Sequence, residues 1–241
     1  MRHPKLAVAI RTIAALGGLF VMLTACHRTA DVGVPREFQK GVAYTGYWGT
    51  AYDGDGPLLA LDRLAETRAA WASVLVTAFQ ENVNTTAIDF AGPATPTDAS
   101  LERIIGHAHA LGLKVMLKPH VDLADDPAHY RGEIGPNFTP ADWAAWFASY
   151  RPFILHYAAL AEATGCELYC VGCELGTTAV HETEWRQIVA AVRSVYSGPL
   201  TYADNLVESS PDAVRWWDAV DLIGEDAYPT LTSIAQPTVD D

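Results

Sequence analysis

The stretch Cys166-Glu-Leu-Tyr-Cys-Val-Gly-Cys-Glu-Leu-Gly-Thr-Thr178 runs from an apolar, strand-like segment into a turn, and the amphipathic pattern of His181–Tyr196 follows it. At the junction stands Glu174. In a chain that alternates strands with helices, the C-terminal rim of the parallel sheet is where ligands bind, so a carboxylate there reads as a catalytic candidate. Taken alone it reads equally well as a helix N-cap or a surface acid. The other strand ends decide between these.

Working outward, the hydrophobic pattern predicts strands over 41–48, 73–79, 113–118, 167–173, 200–203 and 220–224. Helices are predicted over 58–71, 97–111, 139–164, 181–196 and 212–218. Val74-Leu75-Val76 and Lys114-Val115-Met116-Leu117 are nearly continuous in apolar character, as parallel strands covered on both faces require. Alternation in steps of roughly 30 to 40 residues points to an α/β fold, either a (β/α) barrel or a doubly wound sheet. A barrel needs eight βα units, and six are legible. The one long excursion, 119–140, is expected to be a functional loop after the third strand.

The predicted strand ends are polar together. Lys-Pro-His-Val-Asp places Lys118, His120 and Asp122 after the third strand, and Tyr130-Arg131-Gly132-Glu133-Ile134 offers a cleft wall. Tyr47-Trp48 ends the first strand, where an indole suits the apolar face of a sugar ring, although a core Trp fits the same pattern. Asp204-Asn205 and Glu225-Asp226-Ala227-Tyr228 end the fifth and sixth. Such a rim suits a polyhydroxylated ligand, because every hydroxyl presents both a donor and an acceptor. His107 and His109 lie two apart on a helix and share no face, and Trp143, Trp146, Phe147 and Tyr150 are spaced for core packing.

Composition narrows the partners. The 241 residues carry a formal charge of −13, and 50% are hydrophobic, enough for one full core. Arg2, Lys5 and Arg11 precede an apolar run, 13–23, too short to span as a mature helix, and Leu23-Thr24-Ala25-Cys26 follows. Residues 1–26 are expected to be a lipoprotein signal with Cys26 as the lipidated residue, and 27–40 a tether. The leader holds three of the 16 basic residues and none of the 29 acidic ones, so its removal leaves a charge of −16. That excludes nucleic acid as a partner and leaves a lipid anchor as the only route to a membrane.

Cys166, Cys170 and Cys173 have a spacing that invites zinc, but strand alternation sends neighbouring side chains to opposite faces, so packed thiols are expected. His120 and Asp122 could ligate a metal, yet no second histidine cluster supports one. No metal and no cofactor are expected.

The ordered set KPHVD, YRGEI, a Trp-rich helix ending in HYAALAEATG, then ELYCVGCEL, EWRQIVAAVRSVYSGPLTYA, WWDAVDLIG and DAYPTL strongly resembles glycoside hydrolase family 113. The resemblance runs from about Gly41 to Leu231, which makes 41–241 the catalytic domain. It implies a TIM barrel, incomplete here, and a retaining β-mannanase-like glycosidase acting on a polysaccharide or oligosaccharide. Glu174 would be the acid/base, with the nucleophile on a seventh strand past the end of this chain. Trp48, Lys118, His120, Asp122, Arg131, Asn205, Asp226 and Tyr228 are the expected substrate contacts, and Asp122, Glu225 and Asp226 the carboxylates that could stand in for the nucleophile. Two departures stand out: Cys173 where the wider clan has Asn before its acid/base, and Tyr130 where the family tends to have Trp before Arg-Gly. A non-catalytic, lipid-anchored glycan binder is the competing expectation. An unrelated open-sheet enzyme is disfavoured, because no glycine-rich phosphate loop is present.

Overall fold

The computed structural model describes residues 38–205 and 213–228. The leader, Cys26 and most of the expected tether lie outside the described residues. Six parallel strands form one sheet in chain order: β1 (Gly41–Tyr44), β2 (Trp71–Gln80), β3 (Lys114–Leu123), β4 (Leu168–Cys173), β5 (Leu200–Asn205) and β6 (Leu222–Asp226). Between them come α1 (Gly56–Glu66), α2 (Asp98–Ala110), α3 (Pro140–Thr164), α4 (Gly176–Ala179) and α5 (Glu182–Val192). Sequential parallel pairing without a reversal of strand order is barrel winding, not a doubly wound sheet, which settles that alternative. Just ahead of β1, the Lys40 carbonyl accepts from Ala70 N and Trp71 N.

Capping explains the longest helix. Thr139 Oγ1 accepts from Asp142 N, Asp142 Oδ2 accepts from Thr139 N at 2.9 Å, and Pro140 needs no partner at the first helical position. Gly165, at φ 72°, closes the helix in the left-handed conformation. The core lies between the helices and the outer face of the sheet, where Trp146, Tyr150, Trp185, Tyr202 and Trp216 are all buried. Trp185 and Trp216 stack with centroids 4.9 Å apart at 9°.

Several boundaries differ from expectation. Strand β3 runs on through Leu123, because the ladder to β2 continues to Gln80, so Lys118, His120 and Asp122 sit inside a strand and the loop shortens to 124–139. Strand β1 stops at Tyr44, which leaves Tyr47 and Trp48 in the following loop. Of the helix expected over 212–218, the described part is a bend and turn leading into one 3-10 turn, Trp217–Ala219.

The interior of the sheet holds a departure of more consequence. A register irregularity between Cys170 and Cys173 suspends the side-chain alternation, and both thiols pack with Ala203 and Met116 on the inner face. Gly172 makes room for it: a Cβ there would meet Trp185 at 2.8 Å and Tyr202 at 2.9 Å. Cys166 stays behind in the helix–sheet core, so the three thiols form no common site.

Candidate active site

Four charged side chains from four places in the chain meet at the C-terminal mouth of the sheet. Lys118 Nζ, from β3, donates to Asp226 Oδ2 at 2.8 Å and Oδ1 at 3.1 Å, across to the end of β6. Arg131, from the loop after β3, places Nη1 3.3 Å from Glu174 Oε2 and Nη2 3.3 Å from His120 Nδ1. Cys173 Sγ donates to Asp226 Oδ2 at 3.3 Å. Glu174 and Asp226 face each other, their nearest carboxylate oxygens and the Cys173 sulfur all within 4.8 Å.

Glu174 is held by its backbone. It adopts φ 52°, a left-handed conformation that costs a non-glycine residue roughly 1 kcal/mol or more. Two hydrogen bonds pin it there: Glu174 N donates to Ala203 O at 2.8 Å, and Leu175 N donates to Tyr202 Oη at 3.1 Å. The turn thus aims the carboxyl across the sheet mouth instead of along β4. Sequence reasoning placed Glu174 on the rim and could not see this strain.

Burial is the largest influence on the Glu174 carboxyl and raises its pKa above the ordinary value; Arg131 and Lys118 pull it down, and Asp226 pushes it up. Burial also works against a charge on Lys118, but the acidic surroundings, with Asp226 in direct contact, outweigh it, so its pKa is raised. Burial pushes the Cys173 thiol well up, which keeps it protonated and able to donate. Asp226 is therefore the anion that holds Lys118. Burial, with Arg131 and Lys118 adding, sends His120 well below its usual range, so the ring is neutral. A guanidinium only donates, so Nδ1 must accept and Nε2 carries the proton. That Nε2–H is buried and has no partner among the described residues.

Cys173, Glu174 and Asp226 have the atoms of a metal site, but Arg131 and Lys118 already occupy their carboxylates with positive charge, so the donor set does not fit a cation.

The remaining expected residues fall around this centre. Asp122 shares the inner face with Lys118 and His120, and its carboxylate accepts from Leu123 N at 3.0 Å. Asn205 lies opposite Asp226 in the β5–β6 register. Glu225 is on the other face of β6, beside Asp204, and does not enter the centre. Trp48 is 58% exposed and Tyr228 74%, so both are surface aromatics and Trp48 is not core. Tyr47 sets its ring edge toward His120, centroids 6.4 Å apart. The Cys173 thiol was missed because it was read as packing; Gly172 within a strand was the available sign of a bulge. Below the centre, Met116, Lys118, Cys170, Thr201, Ala203 and Asp226 line an open groove of about 410 Å³ between β3 and β6.

His107 pairs with Asp62 and His109 with Glu167, on opposite sides of α2 and outside the site.

Comparison with known proteins identifies the family. The model of Glycoside Hydrolase Family 113 matches residues 43–239. A solved complex of a family 113 β-1,4-mannanase is 33% identical, with a TM-score of 0.72 over 80% of this chain and 63% of its own. The β-mannanase AaManA from Alicyclobacillus acidocaldarius, solved with ManMIm, is 39% identical, with a TM-score of 0.70 over 78% of this chain and 60% of its own. No match is found among curated proteins. The chain thus spans a little under two thirds of the length of these solved relatives. With six strands of a (β/α) barrel and the family's sequence pattern across most of its length, the chain belongs to Glycoside Hydrolase Family 113.

Proposed function

We propose that this protein is a retaining β-1,4-mannanase-type glycosidase in which Glu174 is the acid/base. The observation that carries it is Glu174 itself: a strained, largely buried carboxyl with a raised pKa, across from Asp226, on the rim of a family 113 barrel. A proton donor at neutral pH needs that environment. Glu174 would protonate the glycosidic oxygen as the leaving group departs, then take a proton from the water that releases the glycosyl-enzyme. The neutral His120 ring accepts from Arg131 through Nδ1 and so helps to fix the guanidinium. Arg131 orients the Glu174 carboxylate in its ionised phase. The surface aromatics Trp48 and Tyr228 offer platforms to neighbouring sugar rings.

A retaining mechanism needs a second carboxylate about 5 to 5.5 Å from the first. Asp226 lies near enough, but Lys118 and the Cys173 thiol occupy its oxygens, which dulls it as a nucleophile. The nucleophile is assigned, by family resemblance, to a seventh strand. The chain extended through a seventh and eighth βα unit should hydrolyse β-1,4-mannan with retained anomeric configuration. Glu174→Gln should abolish that turnover, and the 241-residue chain alone should lack it. Unchanged hydrolysis by Glu174→Gln would remove Glu174 from the mechanism. Hydrolysis by the 241-residue chain would return the second carboxylate to Asp226.

Residues 1–26 are proposed to place the protein in the cell envelope through a lipid on Cys26. Labelled palmitate should enter the native chain and not Cys26→Ser, which should shift to the soluble fraction. Absence of label from the native chain sinks the anchor.

A further inference from the structure

We propose that Asp226 is the positioning residue that keeps Glu174 a proton donor: clamped by Lys118 and Cys173, its carboxylate stands opposite the Glu174 carboxyl and opposes a second negative charge there. The assignment rests on the acid/base reading of Glu174 and adds the group that sustains it.

The geometry is specific. Lys118 Nζ engages both Asp226 oxygens, at 2.8 and 3.1 Å, and the Cys173 thiol takes one of them at 3.3 Å. A carboxylate with three donor contacts cannot turn away. Its anchoring cation is 11% exposed at the side chain and Asp226 itself 23%, so water screens the charge only in part. Two carboxylates at such a separation do not both ionise freely.

All the charged neighbours of Glu174 belong in the balance. From β6 comes Asp226, from β3 Lys118 and the neutral His120 behind Arg131, from the loop after β3 Arg131, from β4 the protonated Cys173, and from β5 the Tyr202 hydroxyl on Leu175 N. Arg131 and Lys118 both favour the anionic form of Glu174, and Asp226 alone among the charges favours the acid. Lys118 stands on Asp226 and not on Glu174. The arrangement therefore spends its second cation on fixing the anion that keeps Glu174 protonated. Cys173, at the position where the wider clan has Asn, completes the clamp.

The test titrates Glu174 in the 241-residue chain by NMR of a ¹³C-labelled glutamate carboxyl, its signal assigned by loss in Glu174→Gln. Asp226→Asn should lower the midpoint by on the order of one pH unit. Lys118→Met should raise it, and Asp226→Glu should restore it toward the native value. A purely structural role for Asp226 would not move the two midpoints in opposite directions. An unmoved midpoint in Asp226→Asn, with native circular dichroism, overturns the proposal. If Asp226→Asn does not fold, a midpoint in Lys118→Met that stays put or falls overturns it equally. Titration needs no turnover, so failure of the mannanase reading is seen separately in the hydrolysis assay.

Discussion

Arg131 Nη1 lies 3.3 Å from Glu174 Oε2, while Nη2 of the same guanidinium lies 3.3 Å from His120 Nδ1. One planar group from a loop thus fixes the carboxyl of β4 and the ring of β3 together. Both partners are largely withdrawn from water, with the Arg131 side chain 13% exposed and that of Glu174 14%. Hydrogen bonds to charged groups in such settings contribute about 1.5–3 kcal/mol. Arg131→Leu should therefore lower kcat/KM on mannan by roughly 10- to 100-fold in the completed barrel. Losing the cation also favours the Glu174 acid, so the alkaline limb of the pH profile should move upward. An unshifted limb would mean that Arg131 does not act on Glu174.

The raised pKa of Glu174 also makes a stability statement. A carboxyl whose folded pKa exceeds its unfolded value adds stability that is full below the ordinary value of 4.5 and is lost as pH rises through the folded value. Above that point the folded protein holds an anion in a place that disfavours it. Glu174→Gln removes this penalty, so its midpoint temperature should exceed the parent's at pH 8 and match it near pH 4. Equal differences at both pH values would show that the shift in Glu174 is absent from the protein.

Two non-glycine residues take positive φ among the described residues, Arg68 at 61° and Glu174 at 52°. Arg68 sits exposed in the turn after α1, far from any chemistry, and its strain serves nothing in the site. Arg68→Gly should stabilise by about 0.5–1 kcal/mol, a rise of roughly 2–4 °C, with mannan hydrolysis unchanged. Glu174→Gly should relieve comparable strain and destroy activity. Loss of stability in Arg68→Gly would show that its side chain does more in the fold than the turn suggests.

The strand count and the rim position of Glu174 were legible because apolar runs and a carboxylate at a strand end are local signals. The length of β3 was not: the strand was expected to end at Lys118, and only the continued ladder to β2 carries it through to Leu123. Nor was the Lys118–Asp226 pair, which spans 108 positions and exists only once the sheet curves. Alternation misassigned Cys173 because a bulge is set by what presses on Gly172, here Trp185 from α5 and Tyr202 from β5. Trp48 could be read either as core or as platform until its exposure was known.

Trp216 connects the segment before β6 to the acid. It is fully buried, stacked 4.9 Å from Trp185, with Tyr202 at 5.0 Å, and its Nε1 donates to Ala179 O at 3.0 Å. Tyr202 in turn accepts from Leu175 N, next to Glu174. Trp216→Ala should cost about 3–5 kcal/mol through the cavity and the orphaned carbonyl. Trp216→Phe should cost less, since it keeps the ring contact and loses only the indole N–H bond. The loss should reach the site as well: with Tyr202 free to shift, the left-handed turn at Glu174 is less firmly held, and kcat should fall in Trp216→Ala at temperatures where the variant is still folded. Urea unfolding with an unchanged m-value, alongside kcat measured well below the midpoint, separates the two effects. A variant that loses stability yet keeps full kcat would show that Glu174 is positioned without Tyr202 and Trp216.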